Sequence, residues 1–296
     1  MATPLASSGR APASTNRPSR AVAILRYRPM LVISALLALL LLVAAAVPDL
    51  LAGQPTDGLN MAEALNAPSG SHLLGTDEAG RDIFSRIVHG TRYSLGMALG
   101  IVLISAIVGT AYGAVAGFAG GWLDELMMRV VDVFLAFPAF VLAMAIAAAA
   151  GRGMRSVVVA LAIIWWPSYA RMIRGMVLGL KENEWVSAAH ALGVPTPRVI
   201  LRHIMPFTLA ELNVRLTVDI GYALVAVTSL SFIGLGAQRP TPEWGLMIAD
   251  GRRYVTGAWW YPIFPGIAIY LTTVVFSLLG DALAERARPE KRGARA

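Results

Sequence analysis

Residues 95–118, LGMALGIVLISAIVGTAYGAVAGF, contain no charged side chain. A helix needs about 20 mostly apolar residues to cross the hydrocarbon layer of a bilayer, and this stretch is longer than that. The surrounding chain has the same character, because 56% of its 296 residues are hydrophobic and only 15% are charged. Soluble domains carry roughly 25% charged residues, so the sequence predicts an integral membrane protein.

Five further stretches predict membrane spans, which gives an all-α protein with six transmembrane helices. Residues 30–47, 133–150 and 254–280 are apolar and uncharged. Residues 156–170 are short, but Arg155 and Arg171 at the two ends can extend their charged groups towards water and complete a span. Residues 207–234 include three ionisable side chains and have the least defined boundary.

The distribution of basic residues predicts the orientation. Most of the 25 Lys and Arg residues lie in the termini and in the loops on the same side as the termini. Because cytoplasmic loops carry the excess of Lys and Arg, both termini are predicted to be cytoplasmic. The net charge of +7 is then explained by membrane topology, and no nucleic-acid partner is expected.

The predicted organisation has four parts. Residues 1–25, rich in Ala, Pro, Ser and Arg, form a disordered cytoplasmic tail. Residues 26–94 contain the first span and an extracytoplasmic segment, with a short surface helix near 82–93. Residues 95–285 form a five-helix core with a cytoplasmic loop at 175–206, and residues 286–296 form a second cytoplasmic tail. A cleavable signal peptide is the alternative for the N-terminus, but its charged lead is long and its apolar run suits a span.

No constellation of residues predicts catalysis or a metal site. The chain has no cysteine, and its four histidines are scattered outside the spans. A membrane enzyme would need a nucleophile and base, or paired carboxylates, placed together. A secondary transporter driven by an ion gradient would need paired inverted repeats, which are not evident. The sequence also lacks the phosphate-binding loop of an ATPase, so the chain itself is expected to bind no cofactor.

Glycines and aromatic residues predict packing and anchoring. Glycines at 96, 100, 109, 113, 117 and 121 recur at a spacing that favours close helix approach. Trp259, Trp260 and Tyr261 are expected in an interfacial aromatic belt.

Three ionisable residues, Glu211, Arg215 and Asp219, recur every four positions and therefore share one side of a helix. Ionisable groups at membrane depth usually face a protein interior or an aqueous path. The stripe is a candidate lining for the path of a polar substrate. The alternative is a ladder of salt bridges near the cytoplasmic end of the span.

The loop KENEWVSAAHALGVPTPRVILRHIMP, residues 181–206, predicts a helix, a turn and a second helix. Glu184, Ala188 and Leu192 share one face of the first helix, and Ala188 with Ala189 leaves a low surface. Gly193, followed by two prolines, favours a turn. A short exposed helix with small residues is suited to docking into the groove of a partner.

This loop resembles the cytoplasmic loop of the permeases of ATP-binding-cassette importers, which carries Glu-Ala-Ala, three residues and Gly. Ser187, Ala188, Ala189 and Gly193 occupy this pattern, with Ser187 in place of the Glu. Glu184, one turn earlier, is a substitute for that acidic contact. The segments 72–95, 120–138, 230–245 and 264–281 resemble the C-type permeases of the dipeptide, oligopeptide and nickel importers.

The resemblance implies a type I importer permease fold in the cell membrane and a role in peptide import. It implies that Glu184, Ser187, Ala188, Ala189, Leu192 and Gly193 form a helix that couples the permease to ATPase subunits. It also implies a B-type permease as partner, an extracytoplasmic peptide-binding protein, and ATP with magnesium on the ATPase subunits. Glutathione-like molecules and nickel chelates remain alternative substrates.

Overall fold

The computed structural model describes residues 29–53, 56 and 58–287, and this part of the chain is largely helical. The predicted tail 1–25 lies outside the described residues, as does the tail at 286–296 beyond its first two residues. The α-helices of the described part, in chain order, are α1 (Pro29–Ala46), α2 (Ile83–Ala119), α3 (Gly121–Leu135), α4 (Ala139–Ala150), α5 (Met154–Lys181), α6 (Glu184–Ala191), α7 (Thr196–Val199), α8 (Met205–Phe232), α9 (Trp244–Gly251) and α10 (Trp260–Ala287).

Six membrane spans are confirmed if a bent pair counts as one. In the described part of the chain, α1, α2, α5, the run Thr196–Phe232 and α10 are long and apolar enough to cross a bilayer. The helices α3 and α4 together reach the same length and composition but meet at an angle of 85°. The sequence predicted one span over 133–150, whereas the structure begins this pair of helices at Gly121 and breaks it at residues 136–138. Pro138 lies in this break, where it lacks a backbone N–H for a continuous helix.

The helix α2 differs from the sequence expectation at its start. The predicted surface helix near 82–93 is the first part of α2, so the expected boundary between residues 94 and 95 lies inside a continuous helix. The Asp82 side chain caps this helix by accepting a hydrogen bond from the Ser85 N–H at 2.8 Å. Arg86 and Ser94 are buried, because Arg86 donates to the Thr56 and Pro240 carbonyls and the Ser94 hydroxyl lies 3.2 Å from Glu243.

The loop predicted at 175–206 is shorter than expected. Helix α5 continues to Lys181, and the next membrane span begins at Thr196. A π-helical segment, Ile200–Ile204, joins α7 to α8 without interrupting the run. The connection therefore consists of α6 and a few flanking residues.

Glycines set the distance between α2 and α5. A Cβ at Gly113 would overlap the Ala170 carbonyl, and a Cβ at Gly117 would lie 2.9 Å from the Arg174 carbonyl oxygen. Gly109 meets the α5 backbone in the same way. The predicted glycine packing face is confirmed for these three residues. A Cβ at Gly96, Gly100 or Gly121 would meet no atom of the described residues closer than 4.0 Å, so the packing face does not include these three glycines there.

Two clusters of buried residues lie at opposite ends of α2. One cluster surrounds Ile83 at the start of α2 and includes Trp244 and Tyr261. The other includes Ala114 near the end of α2, together with Val186 of α6. Because α2 has 37 residues, and each adds 1.5 Å, the two ends lie about 55 Å apart. The end of the molecule around Ala114 and Val186 is called here the α6 pole. The end around Ile83, Trp244 and Tyr261 is called the α9 pole.

Candidate functional site

Helix α6 rests on the bundle through one face and exposes the other. Val186 and Ala189 are buried, with 2% and 7% of their surfaces accessible. They pack in a cluster that also contains Ile173 and Val177 of α5. The Trp185 ring lies 5.4 Å from the Phe207 ring of α8, measured between centroids. The helix is therefore attached to both spans that it connects.

The exposed face of α6 contains most of the residues predicted for coupling. Glu184, Ser187 and Ala188 are exposed, and Leu192, just after the helix, has 84% of its surface accessible. Ala189 differs, because it points into the bundle rather than towards a partner. Leu192 thus presents a large apolar side chain to the outside, beside the small side chains of Ser187 and Ala188.

A glycine turn ends this helix. Gly193 has a φ of +77°, a conformation that residues with a Cβ adopt only at a cost. The Val194 N–H donates a hydrogen bond to the Ala189 carbonyl at 3.1 Å, which is the bond of a Schellman motif. The predicted turn at Gly193 is confirmed, and it directs the chain back towards α7.

Charged side chains brace the α6 pole next to the coupling helix. Arg174 of α5 donates two hydrogen bonds to Asp124 of α3, at 2.6 and 2.7 Å. The Lys181 ammonium donates to the Gly117 carbonyl at 3.0 Å. These contacts hold the start of α3 and the end of α2 against α5, so α6 is anchored on a braced helix pair.

The three predicted path residues do not act as one ladder. Arg215 Nε donates to Asp219 Oδ2 at 2.8 Å, while Glu211 is exposed and forms no ion pair with a described residue. Arg215 and Asp219 lie near the middle of α8 rather than at its end. The Arg215 side chain is 48% accessible and that of Asp219 only 9%.

Aromatic residues surround this pair. The Arg215 guanidinium carbon lies 5.9 Å from the centre of the Tyr169 ring of α5, within the range of a cation–π contact. A cavity of about 430 Å³ is lined by Trp165, Arg215, Val218, Asp219 and Tyr222. The pair therefore borders an open space, as a path-lining site requires.

The α9 pole contains an ion network that sequence reasoning did not identify. Arg81 Nε and Arg86 Nε lie 2.7 and 3.4 Å from Asp77 Oδ2, and Asp77 is fully buried. Arg239 is distant from these residues in the sequence, yet its Nη2 lies 3.3 Å from Glu78 Oε1 and 2.5 Å from Asp250 Oδ1. The hydrogen bond with Asp250 raises the pKa of Arg239. These contacts join residues 77–86 to the segment before α10.

A buried carboxyl group completes this pole. Glu243 accepts hydrogen bonds from the N–H groups of Gly245 and Leu246, at 3.0 and 2.8 Å, and lies 3.2 Å from the Ser94 hydroxyl. Burial raises the pKa of Glu243 against the effect of these hydrogen bonds. For the ion network, the signal available in the sequence is the concentration of Asp, Glu and Arg between residues 77 and 86. The contact with Arg239 could not be predicted, because Arg239 lies far from these residues in the sequence.

Of the three residues predicted for an aromatic belt, 259–261, two are buried in the bundle. Trp259 is 51% accessible, whereas Trp260 and Tyr261 are buried. Trp260 Nε1 donates a 3.4 Å hydrogen bond to the Thr76 carbonyl. The segment 58–82 covers these rings, so two of the three aromatic residues support this segment.

Comparison with known proteins identifies the family. Residues 109–293 match the family described as binding-protein-dependent transport system inner membrane component. The chain is 38% identical over 275 residues to a probable D,D-dipeptide transport system permease protein of Escherichia coli (strain K12), covering 93% of this chain and 92% of the relative. It is 41% identical to a dipeptide transport system permease protein of Alkalihalophilus pseudofirmus, covering 79% and 77%.

Two further similarities agree with this result. A glutathione transport system permease protein of Pectobacterium atrosepticum is 44% identical, covering 75% of this chain and 74% of the relative. A chain of the MetNI methionine ABC transporter, solved in inward-facing conformations, aligns with a TM-score of 0.57 over 70% of this chain and 98% of its own length. Its 16% sequence identity supports a common fold alone. The chain therefore belongs to the inner-membrane components of binding-protein-dependent transport systems, as a multi-pass permease of an ATP-binding-cassette importer and a transport subunit rather than an enzyme.

Proposed function

We propose that this chain is the C-type permease of an importer of dipeptides or short peptides, and that it forms half of the translocation path with a B-type permease. Relatives named for D,D-dipeptide and dipeptide transport support this substrate class. The proposal rests on two features found together. Helix α6 packs on the bundle with one face and exposes the other, and a charged pair borders a cavity in the middle of α8. One chain thus presents both a docking surface and a polar path surface.

Glutathione is the second candidate substrate. Relatives of similar identity are named for glutathione transport, and glutathione is itself a short peptide with free carboxyl and amino groups. Uptake of labelled dipeptides, tripeptides and glutathione by the reconstituted importer distinguishes these candidates. Each labelled substrate is supplied together with the extracytoplasmic binding protein of the importer.

The α6 pole is the proposed cytoplasmic side. The exposed face formed by Glu184, Ser187, Ala188 and Leu192 would enter a groove on an ATPase subunit, where ATP and magnesium bind. Small side chains let the two backbones approach, and Leu192 supplies the apolar contact. Ser187 makes no charged contact, so Glu184 is the acidic group of this surface. In this proposal both termini are cytoplasmic, on the same side as α6.

The α9 pole is then the external side, where the peptide-binding protein would dock. The segment 58–82 is polar and is held to the bundle by the contacts of Asp77 with Arg86 and of Glu78 with Arg239. A braced surface keeps its shape while a partner binds and leaves. This property suits a partner that delivers one substrate molecule in each cycle.

The coupling role is tested by Gly193→Leu. Because a Cβ in the left-handed region costs roughly 1–2 kcal/mol, the turn is expected to shift and displace Leu192 from the ATPase groove. ATP-driven peptide uptake in vesicles that contain the complete importer should fall at least tenfold. Gly175→Ala is the matched control, because Gly175 has open space around it and no positive φ. Unchanged uptake by Gly193→Leu would show that this turn does not transmit ATP hydrolysis to the spans.

A further inference from the structure

The ion pair in the middle of α8 has unused binding capacity. The hydrogen bond between Arg215 and Asp219 joins one guanidinium nitrogen to one carboxylate oxygen. Arg215 carries further N–H donors, and Asp219 has a second oxygen. Arg215 is about half accessible, and both residues line the same cavity. The pair can therefore accept one anionic and one cationic group from a ligand without separating.

The surroundings of this pair support a ligand site. The Tyr169 side chain is buried, and the Arg215 guanidinium carbon lies over its ring, 5.9 Å from the ring centre. The cavity of about 430 Å³ is within the size range of small-molecule sites. Trp165 and Tyr222 line it with aromatic surface. An incompletely used ion pair, with the Tyr169 ring packed against Arg215, thus borders one open space.

Charge balance indicates which ligand suits this site. The pair carries one positive and one negative charge, so the empty site is neutral. A zwitterionic ligand keeps it neutral, because its carboxylate pairs with Arg215 and its ammonium group pairs with Asp219. A ligand with a single charge leaves one charge uncompensated at membrane depth, which is strongly unfavourable.

We infer that Arg215 and Asp219, together with Tyr169, form a transient binding site for the charged termini of a zwitterionic peptide on its way through the membrane. Arg215 takes the terminal carboxylate, since its planar fork matches a carboxylate. Asp219 takes the terminal ammonium group and holds Arg215 in place while the site is empty. This inference rests on the proposed function and adds that the permease itself selects peptides with both termini free.

The test uses the complete importer in proteoliposomes, with ATP inside and the binding protein outside. Uptake is measured for a free dipeptide, its C-terminal amide and its N-acetyl derivative, and each rate is expressed relative to that of the free dipeptide. Because the same binding protein serves every permease variant, a change in these ratios between variants belongs to the permease. ATP hydrolysis and subunit recovery are measured alongside.

Arg215→Gln is expected to lower uptake of the free dipeptide at least tenfold and uptake of the amide much less, so their ratio collapses. Asp219→Asn is expected to collapse the ratio between the free and N-acetylated dipeptides. Arg129→Gln is the matched control, because Arg129 forms an ion pair of the same spacing with Glu125 on an exposed surface. This control should keep both ratios of the unaltered protein.

The possible failures are distinguishable. If the unaltered importer takes up no peptide, the proposed substrate class is wrong. If it imports peptides but Arg215→Gln and Asp219→Asn keep its ratios, the termini are not recognised here and this inference is overturned. If either variant is not recovered in the complex, Arg215→Lys and Asp219→Glu replace them. These keep the charges but change the geometry, so each is expected to raise the KM for the free dipeptide, and an unchanged KM overturns the inference.

Discussion

The missing side chains of Gly109, Gly113 and Gly117 decide how closely α2 and α5 approach. At Gly113 the backbone of α5 occupies the position where a Cβ would stand. In membranes, helices associate through such close contacts, because lipid tails are as apolar as the side chains that face them. One residue without a Cβ can therefore position two of the longest helices of the protein.

Gly113→Ala is expected to destabilise the protein by about 1–3 kcal/mol, the usual range for overpacking a tight contact. The new methyl group meets the Ala170 backbone, which cannot move away as a flexible side chain could. Thermal unfolding of the protein in detergent measures this loss. Gly96→Ala is the control, because that site is open. The control should match or exceed the unaltered protein in stability, since alanine favours a helix. Equal stability of both variants would contradict the close contact.

The charged pair in α8 shows what sequence spacing predicts at the residue scale. A spacing of four places Glu211, Arg215 and Asp219 on one side of a helix, so the sequence alone predicts that they share a face. The spacing does not predict which two residues form an ion pair, because pairing depends on their rotamers and on neighbours in other helices. Tyr169 and Trp165 belong to α5, and nothing local in the sequence connects them to α8.

Among the elements, α9 depends on a single capping carboxyl. Glu243 satisfies the first N–H groups of this short helix and also lies against Ser94 of α2. Burial is unfavourable for a charged carboxylate, so the folded protein holds this proton at higher pH than the unfolded chain does. The cap therefore links the packing of α9 on α2 to pH.

The sign of this linkage is defined. Because the folded state binds the proton more tightly, the contribution of Glu243 to stability is greatest below the unfolded pKa of about 4.3. It decreases as the pH rises towards the folded pKa, by up to about 1.4 kcal/mol for each pH unit in that interval. Glu243→Gln keeps an acceptor for the cap and removes the titration, so the free energy of unfolding should decline less with pH. Glu125→Gln, at an exposed site, is the control for loss of one carboxylate. Identical pH profiles for Glu243→Gln and the unaltered protein would contradict a titrating cap.

The elements differ in how far the sequence predicts them. Long apolar stretches identify spans because no other structure satisfies the backbone in a bilayer. The early start of α2 was not predicted. It depends on what covers the helix, because Arg86 is charged, yet it is buried and lies against Asp77. A hydropathy plot assumes that every side chain faces either lipid or water. It therefore misplaces the end of a helix where charged residues of that helix are covered by other parts of the protein.

At the scale of the whole molecule, the two poles have different designs. The α6 pole exposes a short helix attached to two spans, whereas the α9 pole joins distant parts of the chain through charged side chains. The site in the middle of α8 lies between them. The long helices α2 and α8 reach both poles, so they connect the short exposed helix α6 with the ion network at the other pole.

The orientation of these poles can be tested cleanly because the chain has no cysteine. Met61, near the α9 pole, is 73% accessible, and Leu192, at the α6 pole, is 84% accessible. In intact cells a membrane-impermeant maleimide should label Met61→Cys and not Leu192→Cys, and inside-out vesicles should reverse the pattern. Labelling of Leu192→Cys from outside the cell would overturn the proposed orientation.

The same variant tests whether α6 meets a partner. Inside-out vesicles are prepared with and without the ATPase subunits, and the labelling rate of Leu192→Cys is compared. A docked ATPase should slow labelling at least tenfold, because a thiol within a groove is hidden from the reagent. Met61→Cys, labelled from the opposite side in intact cells, should react at the same rate with and without the ATPase. Equal rates for Leu192→Cys in both preparations would mean that the exposed face of α6 is not the ATPase contact, whatever the orientation of the chain.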